Sequence, residues 1–253
     1  YGQKDLENHS LDCLLLPGEK ILVVEDRYGI AFFDTQNQTL LFHLDYDSKE
    51  AYQTLLSTYS GVKTLKQEDG IHIYWGAASP ANRASYIMDA VWDGTKAEIR
   101  DAIPFAAIAP APMSLPNDIA INKEKNDYYL YVVLNGNSQL SKIKLSDKSL
   151  VWTASTGMAP FAIALSPTKA YVTNWAGPVP TDASRETAGI PYGNVYVDHR
   201  TGATALGTVS VFDLETGKVL SEIETGLHPN AIVISNDQQF VYVSNGNSDN
   251  ISV

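Results

Sequence analysis

The sequence lacks several features that would assign a chain to a familiar class. Cys13 is the single cysteine, so no internal disulfide and no site built from paired cysteines can form. No run of about 18 apolar residues occurs, which excludes a membrane-spanning helix. The apolar stretch from Leu14 to Val24 is broken at residues 17–20, which predicts a turn between two strands. Cys13 itself lies in an apolar run and is predicted to be a small buried core residue.

Positive charge is also scarce. The chain has 18 Lys and Arg against 29 Asp and Glu, a net charge of −11 at pH 7. Nucleic-acid-binding proteins neutralise phosphates with clustered basic residues, and no basic run occurs here. Nucleic acid and anionic lipid are therefore not expected as main partners. The nucleophile elbow, the P-loop and the dinucleotide fingerprint are absent as well, and residues 1–4 carry no signal peptide, although a mature exported chain would have lost one.

An internal repeat is the main positive signal. Three segments begin at Pro116, Pro160 and Pro229, and each continues as a short apolar strand, a polar turn and an aromatic or β-branched strand. Proline cannot donate a hydrogen bond to a sheet, so it suits a strand entrance. Each second strand is interpreted as ending at an asparagine, namely Asn135, Asn174 or Asn245. The pattern predicts successive antiparallel hairpins.

Two further strands complete each unit. Residues 207–214 and 219–223 alternate around a turn, as do residues 139–145 and 149–152. Pro116 and Pro160 are 44 residues apart, and Pro160 and Pro229 are 69 apart because of an insertion near residues 176–206. Four strands repeating about every 40–45 residues are typical of a propeller blade.

The predicted fold is therefore all-β, a β-propeller of four-stranded antiparallel blades. One domain is expected over residues 1–253, with blades at 11–45, 58–104, 115–155, 159–225 and 227–253. The two earlier blades fit the repeat less closely: in the second, the first strand is placed at Gly61–Val62, and residues 46–57 are read as a possible short helix.

The repeat also resembles a known family. Tyr171-Val172-Thr173-Asn174, Tyr242-Val243-Ser244-Asn245, residues 207–218 and residues 226–229 look like the YVTN β-propeller repeat, closely over 115–253 and weakly over 11–104. The insertion resembles a subfamily of bacterial surface-layer or periplasmic proteins in which the propeller often precedes an alkaline-phosphatase-type phosphoesterase domain. The resemblance implies an exported location and seven blades, of which this chain covers about five. Further residues or another chain are expected to close the ring, and the resemblance leaves open whether a phosphoesterase domain follows in a longer protein.

Candidate binding residues follow from strand alternation. The loop entering the first strand of a blade and the loop between its second and third strands open on one face, where loops commonly carry binding. The recurring asparagines are also typical of strand-end caps, Trp175 either packs a loop or stacks on a ligand, and His228 either makes an inter-blade hydrogen bond or takes part in catalysis. The predicted face carries Asn117, Asp118, Asn135, Phe161, Asn174, Trp175, His228, Asn230 and Asn245.

The insertion adds charged residues without a recognisable spacing. They could bind a metal or act as acid and base, or belong to a solvated loop across the mouth, or form a lid over a ligand. They are Asp182, Arg185, Glu186, Asp198, His199 and Arg200.

Two functions follow from these patterns. The first is a non-catalytic binding or scaffold propeller that serves a protein partner, its own downstream domain or a small ligand, with no cofactor expected. The alternative is a propeller hydrolase of the lactonase or phosphoesterase-associated kind, with Asp118, His228 and the insertion carboxylates as candidates and a divalent metal left open.

Overall fold

The structure, a computed structural model, describes residues 9–58 and 61–253. In these ranges the regular secondary structure is antiparallel sheet, apart from two short 3₁₀ turns at Tyr46–Ser48 and Glu50–Tyr52. Two compact units are present, Tyr1–Ala106 and Ala107–Val253, and the single domain expected from the repeat stays a prediction. Within the ranges described, no helix has the length and apolar character needed to cross a membrane.

The first unit begins with a four-stranded sheet. Its strands follow chain order: β1 (Ser10–Leu15), β2 (Ile21–Asp26), β3 (Gly29–Asp34) and β4 (Thr39–Asp45). The predicted turn after β1 is confirmed, and Gly18 and Glu19 adopt positive φ of 93° and 56° there. Glycine adopts a positive φ without steric cost because it has no Cβ atom.

The second sheet has an interrupted first strand. Two short strands, β5 (Leu56–Ser57) and β6 (Lys63–Gln67), both pair with β7 (Gly70–Ser79), followed by β8 (Ala84–Trp92) and β9 (Ala97–Pro104). The strand predicted at Gly61–Val62 is wrong, because the Asp12 carboxylate accepts both of their backbone N–H groups, at 2.9 and 3.2 Å. The segment 46–57, predicted as a short helix, holds the two 3₁₀ turns and then β5.

Large aromatic side chains fill the core of the first unit. Phe32 stacks on Trp92 with ring centroids 4.2 Å apart. Trp75 is fully buried and donates its indole N–H to the Tyr46 hydroxyl at 2.7 Å. Burial raises the pKa of Tyr46 above its ordinary value, so this hydroxyl stays protonated and serves as a structural hydrogen-bonding group.

The second unit contains three sheets and one additional hairpin. The third sheet consists of β10 (Pro116–Glu124), β11 (Asp127–Leu134), β12 (Gln139–Lys144) and β13 (Leu150–Ser155). The chain continues through β14 (Pro160–Leu165), β15 (Lys169–Asn174), β16 (Thr187–Ile190), β17 (Gly193–Tyr196), β18 (Gly207–Asp213) and β19 (Val219–Thr225). Last come β20 (Pro229–Ile234), β21 (Val241–Asn245) and β22 (Asn250–Ser252). The fourth sheet has the order β14-β15-β18-β19, β16 and β17 pair with each other, and the fifth sheet has the order β20-β21-β22.

The three prolines occupy equivalent places, as the repeat predicted. Each opens the first strand of its sheet, and the residues before them, Leu115, Ala159 and His228, all adopt positive φ, of 48°, 53° and 53°. A register shift follows each proline. Strand β14 contacts both β10 and β20, so the first strands of the three sheets are neighbours.

The three asparagines are not equivalent. Pro160 pairs with Asn174 and Pro229 pairs with Asn245, whereas Pro116 pairs with Leu134. Asn135 therefore lies one residue later in the repeat, in the position that Trp175 holds in the fourth sheet. The prediction that all three end the same strand position is wrong for Asn135, because residue type alone does not fix register.

Asn174 and Asn245 share one structural role. The Asn174 amide donates to the hydroxyls of Thr208 and Ser210 on the third strand of its sheet, at 3.0 and 2.9 Å. The Asn245 amide donates to Asn250 and Ser252 at 2.8 and 2.9 Å. Both asparagines thus tie two strands together, and neither has the left-handed backbone that favours asparagine at strand ends.

A buried lysine joins the third and fourth sheets at the end of the fourth sheet that lies opposite Asn174. The Lys142 ammonium donates to Glu124 at 2.7 Å and to the Leu214 carbonyl at 3.1 Å, and it lies 4.5 Å from the Tyr129 ring centroid. The Tyr131 hydroxyl also donates to Glu124. Because the Lys142 side chain is nearly inaccessible to solvent, these partners take the place of water around its ammonium group.

Cys13 is exposed, which corrects the prediction of a buried thiol. It lies on β1, at the edge of the first sheet. Successive side chains of a strand point to opposite faces, and it is Leu14 that packs against the core cluster of the first unit. An apolar run on an edge strand therefore buries only part of its side chains.

We predict that Asn174→Ala lowers the free energy of unfolding by about 1–3 kcal/mol, because the buried hydroxyls of Thr208 and Ser210 each lose a hydrogen bond from its amide. Urea unfolding followed by circular dichroism measures the change. Asn126→Ala is the matched control, since Asn126 lies exposed in the β10–β11 turn. Equal stability of the two variants would contradict the structural role of Asn174.

The exposed thiol gives a second prediction. Native protein should react with Ellman's reagent to release about one equivalent of chromophore, at a rate within roughly tenfold of the urea-unfolded chain. Cys13→Ser should abolish the reaction. A thiol that reacts only after unfolding would show that Cys13 is covered.

Candidate ligand-binding face

One end of the second unit gathers the residues predicted from the sequence. We call this end the entry face; it comprises residues 113–118, 135–138, 157–161, 175–206, 226–230 and 245–249. Backbone hydrogen bonds assemble it: Asn135, Trp175 and Gly246 donate their N–H groups to the carbonyls of Leu115, Ala159 and His228, at 2.9, 3.1 and 3.0 Å respectively. The expected alternation of loops is therefore present in all three sheets.

Three of the predicted polar residues bind the backbone of the neighbouring strand β14. The side-chain amides of Asn117 and Asn135 donate to the carbonyls of Phe161 and Pro160, both at 2.8 Å. The Asp118 carboxylate accepts the N–H groups of Ile119 and Ile163, at 2.8 and 2.9 Å. These hydrogen bonds hold the third and fourth sheets together, and they engage the Asn117 and Asn135 amide donors and the Asp118 carboxylate.

Three aromatic side chains stack in a row on this face. Phe161 and Trp175 have ring centroids 4.0 Å apart, and Trp175 and His228 have centroids 5.4 Å apart with planes 2° from parallel. Trp175 thus lies between a ring of the fourth sheet and a ring at the entrance to the fifth. The Trp175 indole nitrogen is buried and makes no hydrogen bond within the described ranges.

His228 does not make the inter-blade hydrogen bond expected from the sequence. Its imidazole forms no hydrogen bond with the part of the chain that the structure describes, and it links the sheets by stacking on Trp175. A stacking geometry of this kind cannot be derived from residue order alone.

The insertion is a folded element with its own small core. Trp175, Ile190 and Val197 pack on the buried side chains of Met158, Ala159, Ala176 and Val195. The buried Tyr196 hydroxyl accepts the N–H groups of Asp182 and Thr181, at 2.8 and 2.7 Å, and these bonds lower the pKa of Tyr196. The interpretation as a solvated loop is therefore incomplete, because the hairpin β16–β17 and its base are internally packed.

The insertion carboxylates mainly shape their own turns. Asp182 accepts the hydroxyl and N–H of Ser184 at 2.7 and 2.9 Å, and these bonds lower its pKa. Asp198 accepts the N–H groups of Arg200 and Thr201 at 3.0 and 3.1 Å, and its pKa is likewise lowered. Glu186 and His199 are exposed. Across residues 9–58 and 61–253, no group of three or more His, Cys, Asp or Glu is arranged to hold a metal ion.

The remaining predicted residue, Asn230, is exposed. Its side-chain oxygen accepts the Ser244 hydroxyl at 2.8 Å. Asn230 therefore stabilises the β20–β21 hairpin, and this hydrogen bond does not involve the insertion.

A pocket of about 520 Å³ opens within the insertion. Its volume falls in the range of small-molecule sites. Asp182 and Arg185 were recognised in the sequence as charged insertion residues, but no pattern indicated that a pocket would form around them. The lining consists of Met158, Val179, Pro180, Thr181, Asp182, Ala183, Arg185, Thr187, Tyr192, Gly193 and Asn194.

Comparison with known proteins identifies the fold and leaves the family open. No protein-family model matches the chain, and no curated protein matches it, so the YVTN resemblance is not confirmed. Solved structures do match. A protein of unknown function from Bacteroides caccae has a TM-score of 0.59 and 12% identity, over 95% of this chain and 72% of the other.

Two further structures agree. Regucalcin from Agrobacterium tumefaciens, described as a calcium-binding protein, has a TM-score of 0.54 and 13% identity, over 95% of this chain and 69% of its own. KlAtg21, solved in complex with the coiled coil of AgAtg16, has a TM-score of 0.55 and 12% identity, over 96% and 65% respectively. At such low identity the matches show the fold alone: a β-propeller, with five blade-type sheets in the described residues. Seven blades and a phosphoesterase fusion are not confirmed.

The ring stack generates a prediction of energetic coupling. In a double-mutant cycle, Trp175→Leu and His228→Ala should couple by about 0.5–1.5 kcal/mol in unfolding free energy, because aromatic pairs contribute this much beyond area burial. A parallel cycle of Trp175→Leu with His199→Ala, an exposed histidine of the same insertion, should give no coupling. Coupling below about 0.3 kcal/mol in the first cycle would contradict the stacking.

Proposed function

We propose that this chain is a non-catalytic binding or scaffold propeller, and that its ligand or partner site lies at the insertion on the entry face. The observation that carries the proposal is the pocket of about 520 Å³ inside an insertion that is packed on the Trp175 stack. Loops positioned by a rigid scaffold are common binding sites, and concave pockets with a few polar groups are their usual form.

The use of the surrounding polar groups supports binding over hydrolysis. Asp118, a candidate for acid–base work, already accepts two backbone N–H groups. His228 is stacked on Trp175, and Asp182 and Asp198 accept hydrogen bonds in their own turns. A general base must reach the proton that it abstracts, and the carboxylates of Asp118, Asp182 and Asp198 instead accept hydrogen bonds within the protein.

The hydrolase alternative rests on the β-propeller fold, which lactonase-type propellers share, and on the carboxylates near the entry face. In that alternative, Asp118 and His228 would act with a divalent cation on small cyclic esters or phosphoesters. Fold similarity does not transfer function, so the alternative needs turnover that depends on these residues.

The cellular setting is proposed from the resemblance of residues 115–253 to YVTN repeats. On that basis the protein is placed at the bacterial surface or in the periplasm, with a protein partner, a phosphoesterase domain or a small ligand at the insertion. The Atg21 structure, which holds a coiled-coil partner, is an example of a propeller used as a binding scaffold.

The proposal predicts that binding depends on the insertion and not on the sheets. The test replaces residues 175–206 with Asn-Gly-Asn-Ser, the sequence of the β11–β12 connection at residues 135–138. Ligands that bind the intact chain in ligand-observed NMR should no longer bind this variant. Circular dichroism should show that the sheet content is retained. Asp147→Ala, which changes an exposed turn outside the entry face, is the control and should keep all ligands.

Enzyme assays test the hydrolase alternative against the proposed binding function. Lactones and phosphoesters should not be turned over, with or without added Ca²⁺. Turnover that is lost in both Asp118→Asn and His228→Ala, while those variants remain folded, would overturn the proposal in favour of the hydrolase.

A further inference from the structure

The pocket in the insertion contains a cation whose side chain has no acidic partner. The Arg185 guanidinium carbon lies 4.4 Å from the centroid of the Tyr196 ring. Its backbone N–H donates to the Asp182 carbonyl at 3.3 Å. Within the described ranges, its side chain makes no ion pair and no hydrogen bond, so its five N–H donors are available to a ligand.

Asp182, the carboxylate of the pocket lining, makes no ion pair with this arginine within the described ranges. The Asp182 carboxylate is engaged by the hydroxyl and N–H of Ser184. Arg185 acts on Asp182 only through space, helping to lower the pKa of Asp182 after the larger effect of the Ser184 hydrogen bonds. The positive charge at the pocket is therefore not cancelled by a direct salt bridge.

The aromatic platform under Arg185 is fixed. Tyr196 is 4% exposed, and its hydroxyl accepts the N–H groups of Thr181 and Asp182, two residues of the pocket rim. A guanidinium resting on a buried ring loses less side-chain entropy on binding than a free one. The rim and the cation are thus held by the same tyrosine.

The rest of the lining suits a small polar ligand with an apolar part. Thr181, Thr187 and Asn194 bring polar side chains to the pocket, and Met158 and Val179 bring apolar ones. Planar, bidentate pairing is the preferred mode of arginine with carboxylates. With a net charge of −11, the protein repels multiply charged anions, which favours a monocarboxylate over a phosphate dianion.

We propose that this pocket binds a small molecule bearing one carboxylate, which pairs with Arg185. The inference rests on the proposed function and deepens it by assigning the ligand's chemistry. Sugar acids and aromatic acids are both possible sources of that carboxylate, so each is represented in the test.

The experiment compares charged probes with their neutral counterparts by ligand-observed NMR titration of the full chain. The pairs are glucuronate against glucose and benzoate against benzamide, with inorganic phosphate as a third arm. At least one carboxylate should bind at least about tenfold more tightly than its neutral counterpart, and Arg185→Gln should remove that preference, since one charge-assisted pair accounts for such a factor. Which pair responds identifies the source of the carboxylate.

Arg200→Gln is the matched control, because Arg200 is an exposed arginine of the same insertion, 3.9 Å from Asp198 and outside the pocket lining. It should leave the preference unchanged. Thermal unfolding of each variant reports whether the fold is retained, and Arg185→Lys should keep only part of the preference because an ammonium lacks the planar fork.

Several outcomes would overturn the inference. They are equal binding of charged and neutral probes, phosphate binding as tight as the carboxylate, an unchanged preference in Arg185→Gln, or carboxylate affinities all weaker than about 10 mM. If other ligands still bind at the insertion in that case, the proposed function stands and only the carboxylate assignment fails. If nothing binds there, both fail.

Discussion

The second unit depends on hydrogen bonds that run from side chains of one sheet to the backbone of the next. At the entrance to β14, a register shift follows Pro160, so the regular ladder does not serve the carbonyls of Pro160 and Phe161. Asn135 and Asn117 donate to those two carbonyls at 2.8 Å, and Asp118 accepts the nearby Ile163 N–H. Buried backbone groups left without partners are costly, and here the neighbouring sheet supplies the partners.

This requirement explains why polar residues concentrate at strand entrances that otherwise look like binding positions. The opposite end uses the same device with charge, where Lys142 reaches from the third sheet to the Leu214 carbonyl while pairing with Glu124. Side chains of the third sheet thus supply hydrogen bonds to the backbone of the fourth sheet at both ends of the junction. These hydrogen bonds form a frame that holds Trp175 and the insertion in place. A binding site needs such fixed surroundings to keep its own residues in position.

The sequence predicted those features that depend on interactions between residues close together in the chain. Prolines at strand entrances, turn residues and alternating apolar strands predicted the repeat, the strand order in the described sheets and the place of the insertion. It failed where partners are distant. The buried assignment of Cys13 ignored that β1 is an edge strand, and the Gly61–Val62 strand ignored capture of those amides by Asp12, 49 and 50 positions away. The stacking of His228 on Trp175 and the pocket around Arg185 depend on how hairpins fold back, which no spacing encodes.

These contacts separate the residues of the entry face that hold the sheets together from those that line the pocket. The connections after β11 and β21 are short, while the one after β15 extends over residues 175–206. Because Asn117, Asp118 and Asn135 are committed to the frame, a substitution there removes a partner from buried backbone and is felt as lost stability. Arg185 is exposed and bonded to no acidic group in the described ranges, so a substitution there removes no hydrogen bond from the frame. The contacts that stabilise the sheets and the site that we propose for a ligand therefore reside in different residues of one face, which allows the insertion to diverge without loss of the fold.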